Sequence, residues 1–183
     1  MTRGEALNLV QEKIKTPNLI KHCLAVEAVM RELAKYFGED TEKWGLAGLL
    51  HDIDYEETKT SPEKHSLIGA EILVEKGIEA EIIDAIKAHN VFHNLPRETK
   101  MAKALFCSDP ITGLIVAAAL VMPNKKIAEV TADNVLNRYK EKGFAKGANR
   151  EHIAACSELE LTLEKFAEIS LQATQNISQE LGL

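Results

Sequence analysis

The stretch Trp44-Gly-Leu-Ala-Gly-Leu-Leu-His51-Asp52-Ile-Asp54 decides how the rest of the chain is read. Residues 44 to 50 carry no charge and read as a buried helix, so the chain leads an imidazole and a carboxylate into an interior where an unpaired carboxylate is costly. Such a pair needs partners. Adjacent residues on a helix diverge by about 100°, so His51 and Asp52 either bind one ion from a frayed helix end or serve different neighbours. Taken alone, the pair reads first as a satisfied core histidine beside a helix-terminal aspartate.

Helical periodicity runs outward from this stretch in both directions. No segment alternates with period two for long enough to make a strand, which predicts an all-α fold. Residues 3 to 15 read as a short amphipathic helix ending before Thr16-Pro17. A second starts at Pro17 or Asn18 and runs to about Phe37, with Leu19, Cys23, Val26, Met30 and Leu33 along one stripe and His22 beside it. Gly38 ends that helix, Asp40 or Thr41 caps the third, and His51-Asp52 lies at the third helix's far end.

Beyond the pair, the polar residues Asp54 to Pro62 read as a loop at the mouth of any site the histidines make. A helix over roughly 63–76 turns Ile68, Ile72 and Leu73 inward, and His65 is expected on the same face. The next, about 79–90, carries Ile82, Ile83 and Ile86 on a stripe that His89 continues. After a short connection, residues 99–122 are strongly apolar, with Asp109 the only acidic residue. Pro110 is expected to kink or restart that helix and leave Asp109 at a break. From Asn124 onward three more helices are predicted, with joints near Gly143 to Asn149 and near Ser157. No linker or repeat divides the chain, so residues 1–183 are expected to form one domain, with a core of about 18–122 that the helices of 124–183 complete.

Composition narrows the function. The 183 residues are 45% hydrophobic and 27% charged, as in a soluble globular protein with a sizeable core. Lys+Arg of 22 against Asp+Glu of 28 gives a net charge of -6, which argues against an extended nucleic-acid surface or an anionic membrane as partner and leaves room for a local basic pocket. Cys23, Cys107 and Cys156 stand far apart among apolar residues and read as reduced core cysteines. The N-terminus lacks the apolar core of a signal peptide, and the longest uncharged run, Pro110 to Asn124, is too short to span a bilayer. The expectation is a cytoplasmic protein.

The chemistry-bearing residues are His22, His51, Asp52, His65, His89 and Asp109, from five helical segments, each on or beside an apolar stripe. This many inward polar groups require either a dense hydrogen-bond network or a metal. Nitrogen and carboxylate donors suit a first-row divalent ion, with no thiolate needed.

In this ordered set the chain resembles the HD-domain metal-dependent phosphohydrolases. Their motif is a histidine on an early helix, an adjacent His-Asp on a later one and a distant aspartate, matched here by His22, His51-Asp52 and Asp109 over roughly residues 18 to 122. The similarity is greatest to the HDIG-like branch, through His65 in HSLIGAEIL and His89 in AIKAHN. Asp54 stands where the branch name has a glycine and is expected to be a loop variation with little bearing on ligands. The cyclic-dinucleotide phosphodiesterases of the superfamily carry a GYP motif and a His-His pair, whereas this chain has His89-Asn90 and no GYP, which lowers cyclic dinucleotides as substrate.

The resemblance implies a helical bundle of the HD-domain type holding one or two divalent ions (Mn, Fe, Co, Ni, Zn or Mg). The first would be bound by His22, His51, Asp52 and Asp109, with Asp52 bridging to a second held by His65 and His89. Asp52, His65 and His89 are the candidates for catalysis; if one ion binds, the two histidines become candidates for phosphate contact or acid-base work. The implied reaction is hydrolysis of a small phosphorylated metabolite or nucleotide, with alternatives in a phosphodiesterase of cyclic or oligonucleotide substrates or a non-catalytic nucleotide-binding module. Oligomeric state is not legible. Lys142, Lys146 and Arg150 are spaced four apart, but Gly143 and Gly147 argue against one continuous helix, and a solvated surface stretch is the first reading. His93 and Arg97 border the predicted mouth and are discounted likewise, and His152 reads as structural or exposed. Trp44 and the tyrosines show no base-stacking pattern.

Overall fold

A computed structural model describes residues 1–183. The fold is all-α, a helical bundle without strands. Its elements are α1 (Arg3–Lys13), α2 (Pro17–Phe37), α3 (Thr41–Leu50), α4 (Tyr55–Thr58), α5 (Leu67–Glu75), α6 (Ala80–His89), α7 (Lys100–Leu120), α8 (Ala132–Lys140), α9 (Arg150–Ala154), α10 (Leu163–Asn176) and α11 (Ser178–Leu181). Short 3-10 turns cover Val91–His93, Ile127–Glu129 and Ala155–Leu159.

Local chemistry accounts for the first boundaries. Thr2 and Glu5 form a capping box that starts α1, Pro17 opens α2, and Gly38 ends it in the left-handed conformation at φ 70°. Asp40 then caps α3 by accepting the backbone N–H groups of Glu42 and Lys43. The uncharged Trp44–Leu50 run is buried apart from the half-buried Leu46. It packs along α2 so closely that a Cβ on Gly48 would lie 2.8 Å from the Glu27 Cα.

Two helices, α2 and α7, form the centre. They pack on each other, and α3, α6, α8, α9 and α10 pack on α7. By length and composition α7 is apolar enough to cross a membrane, but 67% of its most apolar window is buried within the protein. Cys23, Cys107 and Cys156 are free thiols in this interior.

Three local expectations are corrected. Residues 54–62 are not all loop, because α4 occupies Tyr55–Thr58, where the Thr58 hydroxyl donates to the Asp54 carbonyl at 2.8 Å. The helix expected from residue 63 begins only at Leu67: Ser66 is buried with φ 68°, so His65 sits in a turn before α5 rather than on its inner face. Helix α7 runs unbroken across Pro110, and Asp109 lies mid-helix. The proline removes one backbone donor, and burial of α7 against its neighbours outweighs that loss. In the last third the 143–149 joint is present, the Ser157 joint is a 3-10 turn, and α11 is an additional final turn.

Candidate metal centre

Five segments of the chain deliver six side chains to one place. His22 comes from the second turn of α2, His51 from the C-terminal cap of α3, Asp52 from the turn that follows, His65 from the turn before α5, His89 from the end of α6 and Asp109 from the middle of α7. Asp52 is the hub: its Oδ1 lies 3.5 Å from His51 Nε2, 3.4 Å from His65 Nε2 and 3.6 Å from His89 Nε2. Its Oδ2 lies 3.8 Å from His22 Nε2, which is itself 3.0 Å from Asp109 Oδ1. Two overlapping triads, His22–His51–Asp109 and His51–Asp52–His89, bring one donor atom from each residue within 4.8 Å of the others. That spacing is small enough to close around a divalent ion.

Every one of the four imidazoles commits the same nitrogen elsewhere. Those of His51 and His89, at the ends of α3 and α6, donate Nδ1–H to the Gly48 and Ile86 carbonyls three residues back, acceptors that a helix terminus leaves free. His65 donates Nδ1–H to Asp54 Oδ1 at 2.9 Å. The Thr112 hydroxyl spends its proton on the Asp109 carbonyl at 2.8 Å, so its oxygen accepts Nδ1–H from His22 at 3.2 Å. With each Nδ1–H committed outward, every ring turns Nε2 toward the carboxylates, and the Nε2 atoms of His65 and His89 face each other at 3.2 Å. His51 Nε2 is buried without any hydrogen-bond partner. Lone pairs aimed at carboxylates repel unless positive charge lies between them, so the residues present fit a bound cation.

The carboxylates draw positive charge into the cluster. Burial opposes charge on His22 and His89, yet the hydrogen bonds and charges of Asp109 and Asp52 outweigh it, and both imidazoles lie above the ordinary histidine range. Burial dominates at His51, pushing it down to about 4 and keeping the ring neutral. Burial would raise the two carboxylates, but the surrounding imidazoles hold Asp52 and Asp109 below the usual range.

The HD domain family profile matches residues 19–120. This chain belongs to the HD-domain family. Its HD domain is similar to Ribonuclease Y of Lawsonia intracellularis, 30% identical over 139 residues that make up 74% of this chain and 26% of that protein. It is similar also to Ribonuclease Y of Nitratidesulfovibrio vulgaris, 36% identical over 96 residues, 52% of this chain and 18% of the relative. An uncharacterized protein of Methanocaldococcus jannaschii is 32% identical over 149 residues, 75% of this chain and 84% of that protein. The chain thus spans about a quarter or less of the Ribonuclease Y relatives. HD domains are in general metal-dependent phosphohydrolases, and this one carries a His/Asp cluster suited to a metal.

One residue of this HD domain was misjudged from sequence. Asp54 is no incidental loop variation: it is buried, orients His65 through the bond above, and accepts the Gly69 N–H at 2.8 Å with its other oxygen. Gly69 permits this approach, since a Cβ there would meet Ile53 at 3.1 Å and the Asp54 carboxyl at 3.3 Å. A second acid two residues after His-Asp was the available signal. Asn90 and His93 also act on His65 from outside the cluster. Asn90 Nδ2 donates to the carbonyls of Pro62 and His65, at 2.8 and 2.9 Å, and His93 Nε2 donates to the His65 carbonyl at 2.7 Å.

The remaining discounted residues divide. Arg150 serves structure, donating to backbone carbonyls that include Ala148 and Phe144 at 2.6 Å and so closing the 141–149 loop, while Lys142 and Lys146 are exposed. His152 is half-buried against Phe106. Beside His22 a cavity of about 430 Å³ opens between α2 and α7, walled by Lys21, Ala25, Val116 and Leu120 among others.

Proposed function

We propose that this HD domain hydrolyses the phosphoester bond of a small phosphorylated metabolite or nucleotide. The observation that carries this reading is the set of four Nε2 lone pairs converging on Asp52 and Asp109 with every Nδ1–H already spent. His22, His51, Asp52 and Asp109 would hold one divalent ion, and His65 with His89 a second that Asp52 bridges. Such ions, when bound, lower the pKa of a water and offset negative charge developing on the phosphoryl group.

The chain's own residues supply the rest. Asp54 keeps the His65 Nε2 lone pair aimed inward, an oriented base able to accept a proton where a second ion is not bound. Burial of His51 and His89 limits access to the closed side of the cluster, while Asp109 and His22 remain partly open to arriving substrate. The cavity beside His22 has the volume of a small-ligand pocket, which supports a metabolite or nucleotide over a polymer. The same reading treats residues 1–183 as one unit in which the helices after Asn124 complete the core by packing on α7.

A second reading is cleavage of a phosphodiester in RNA, favoured by the relatives named Ribonuclease Y. Purified protein assayed with manganese on phosphomonoesters, nucleotides and short RNA separates the two: release of inorganic phosphate supports the first, and shortened RNA the second. Metal content near zero in protein purified without chelators, together with no turnover of either class, would refute both.

A further inference from the structure

Arg97 lies in the connection between α6 and α7. Its guanidinium carbon lies 3.9 Å from the centroid of the Phe106 ring, and the imidazole of His152, from α9, lies 4.3 Å from the same centroid at 33°. Phe106 thus packs against both a cation and an imidazole. Phe106 precedes Asp109 by three residues on an unbroken helix, which sets this stack one turn from the cluster. Burial holds His152 below the ordinary histidine range, and the charge of Asp109 opposes that shift.

The guanidinium is held but not saturated. Nη2 donates to Glu158 Oε1 at 2.7 Å, and it is the only one of the three nitrogens with an acceptor. Nε is buried with none. A side chain that served only to tie the 94–99 segment to the 155–159 turn would be expected to satisfy more of its five N–H groups. A planar fork fixed on an aromatic face, with donors unspent and carboxylates a turn away, suits bidentate capture of a phosphate.

We infer that Arg97, steadied by Phe106, Glu158 and His152, forms the anion-binding edge of the centre and takes the phosphoryl oxygens of the substrate. This rests on the phosphohydrolase reading, which supplies the reason for a phosphate beside Asp109. Arg97 sets affinity for the phosphorylated ligand, while the cluster of His22, His51, Asp52 and Asp109 sets affinity for metal.

The test is calorimetric titration of inorganic phosphate into the full chain, with and without manganese, alongside metal analysis of the same samples. Arg97→Gln is expected to weaken phosphate binding by about tenfold in both states while leaving metal content unchanged. Glu158→Gln, which keeps an acceptor oxygen for Nη2 and removes the competing negative charge, is expected to bind phosphate at least as tightly as wild type. Arg97→Lys, which retains charge without the fork, should fall between the two and carries the test if Arg97→Gln does not fold. Phosphate affinity indifferent to Arg97, or lost equally in Glu158→Gln, would overturn the inference and leave Arg97 a structural tie. Absence of bound manganese with phosphate binding still dependent on Arg97 would instead remove the metal reading and keep the anion site.

Discussion

Asp54 Oδ1 accepts the Nδ1–H of His65 at 2.9 Å, and this contact turns His65 Nε2 toward Asp52 Oδ1 at 3.4 Å. Asp54→Ala is therefore expected to let the ring turn and change tautomer. Loss of an orienting partner of this kind typically costs about 10- to 100-fold in activity or metal affinity. The loss should appear in kcat or in occupancy of the second ion, measured by steady-state kinetics and metal analysis. Wild-type values for both would refute the orienting role.

Removing metal should destabilise the protein, because the cluster then holds lone pairs against carboxylates with only protons to separate them. A ligand at 100 times its Kd adds about 2.7 kcal/mol to stability. Manganese should raise the midpoint of thermal unfolding, chelator should reverse the rise, and Asp52→Ala should abolish it. A midpoint blind to manganese in the wild type counts against the site.

Glu27 is 2% exposed and its Oε1 accepts from Arg3 Nε at 2.6 Å and Arg31 Nε at 2.8 Å. Arg31 continues to Glu42 at 2.6 Å, so Glu27 ties α1 to α2 directly and braces the arginine that ties α2 to α3. Glu27→Ala should destabilise by about 2 kcal/mol, less than for a fully buried pair because the arginine side chains are 42% and 19% exposed and can turn to water. Urea unfolding would show it as a lower midpoint at unchanged slope.

Two glycines should respond with opposite signs. A Cβ on Gly48 would stand 2.8 Å from the Glu27 Cα and 2.9 Å from the Val26 carbonyl oxygen, both backbone, so Gly48→Ala should force α2 and α3 apart at a cost of about 1–3 kcal/mol. Gly113 meets nothing within 4 Å on the exposed side of α7, and Gly113→Ala should stabilise by about 0.5–1 kcal/mol. Equal shifts in the two variants would contradict the packing described.

The cysteines should be inert in the native state. Burial pushes the Cys156 thiol up to about 11, and Cys23 and Cys107 also lie well above the ordinary range. At pH 8 a thiol of that pKa is thiolate in roughly one molecule per thousand. A disulfide reagent at pH 8 should label all three rapidly only after denaturation, and fast labelling of folded protein would contradict their burial.

What the sequence by itself determined is local and one-dimensional. Periodicity and caps located α2, α3 and α6, the uncharged Trp44–Leu50 run announced its own burial, and the order His22, His51-Asp52, His65, His89, Asp109 announced the kinship. A helical stripe says which face is buried, because side chains repeat every 3.6 residues, but not which atoms of two different helices meet. Packing alone decided that four Nε2 atoms surround Asp52 and Asp109, that Asp54 sits behind His65, and that Arg97 folds onto Phe106. It also overrode two local rules, carrying α7 through Pro110 and turning the chain at Ser66. Each of those departures costs local free energy, and burial of many neighbouring side chains supplies enough to hold them.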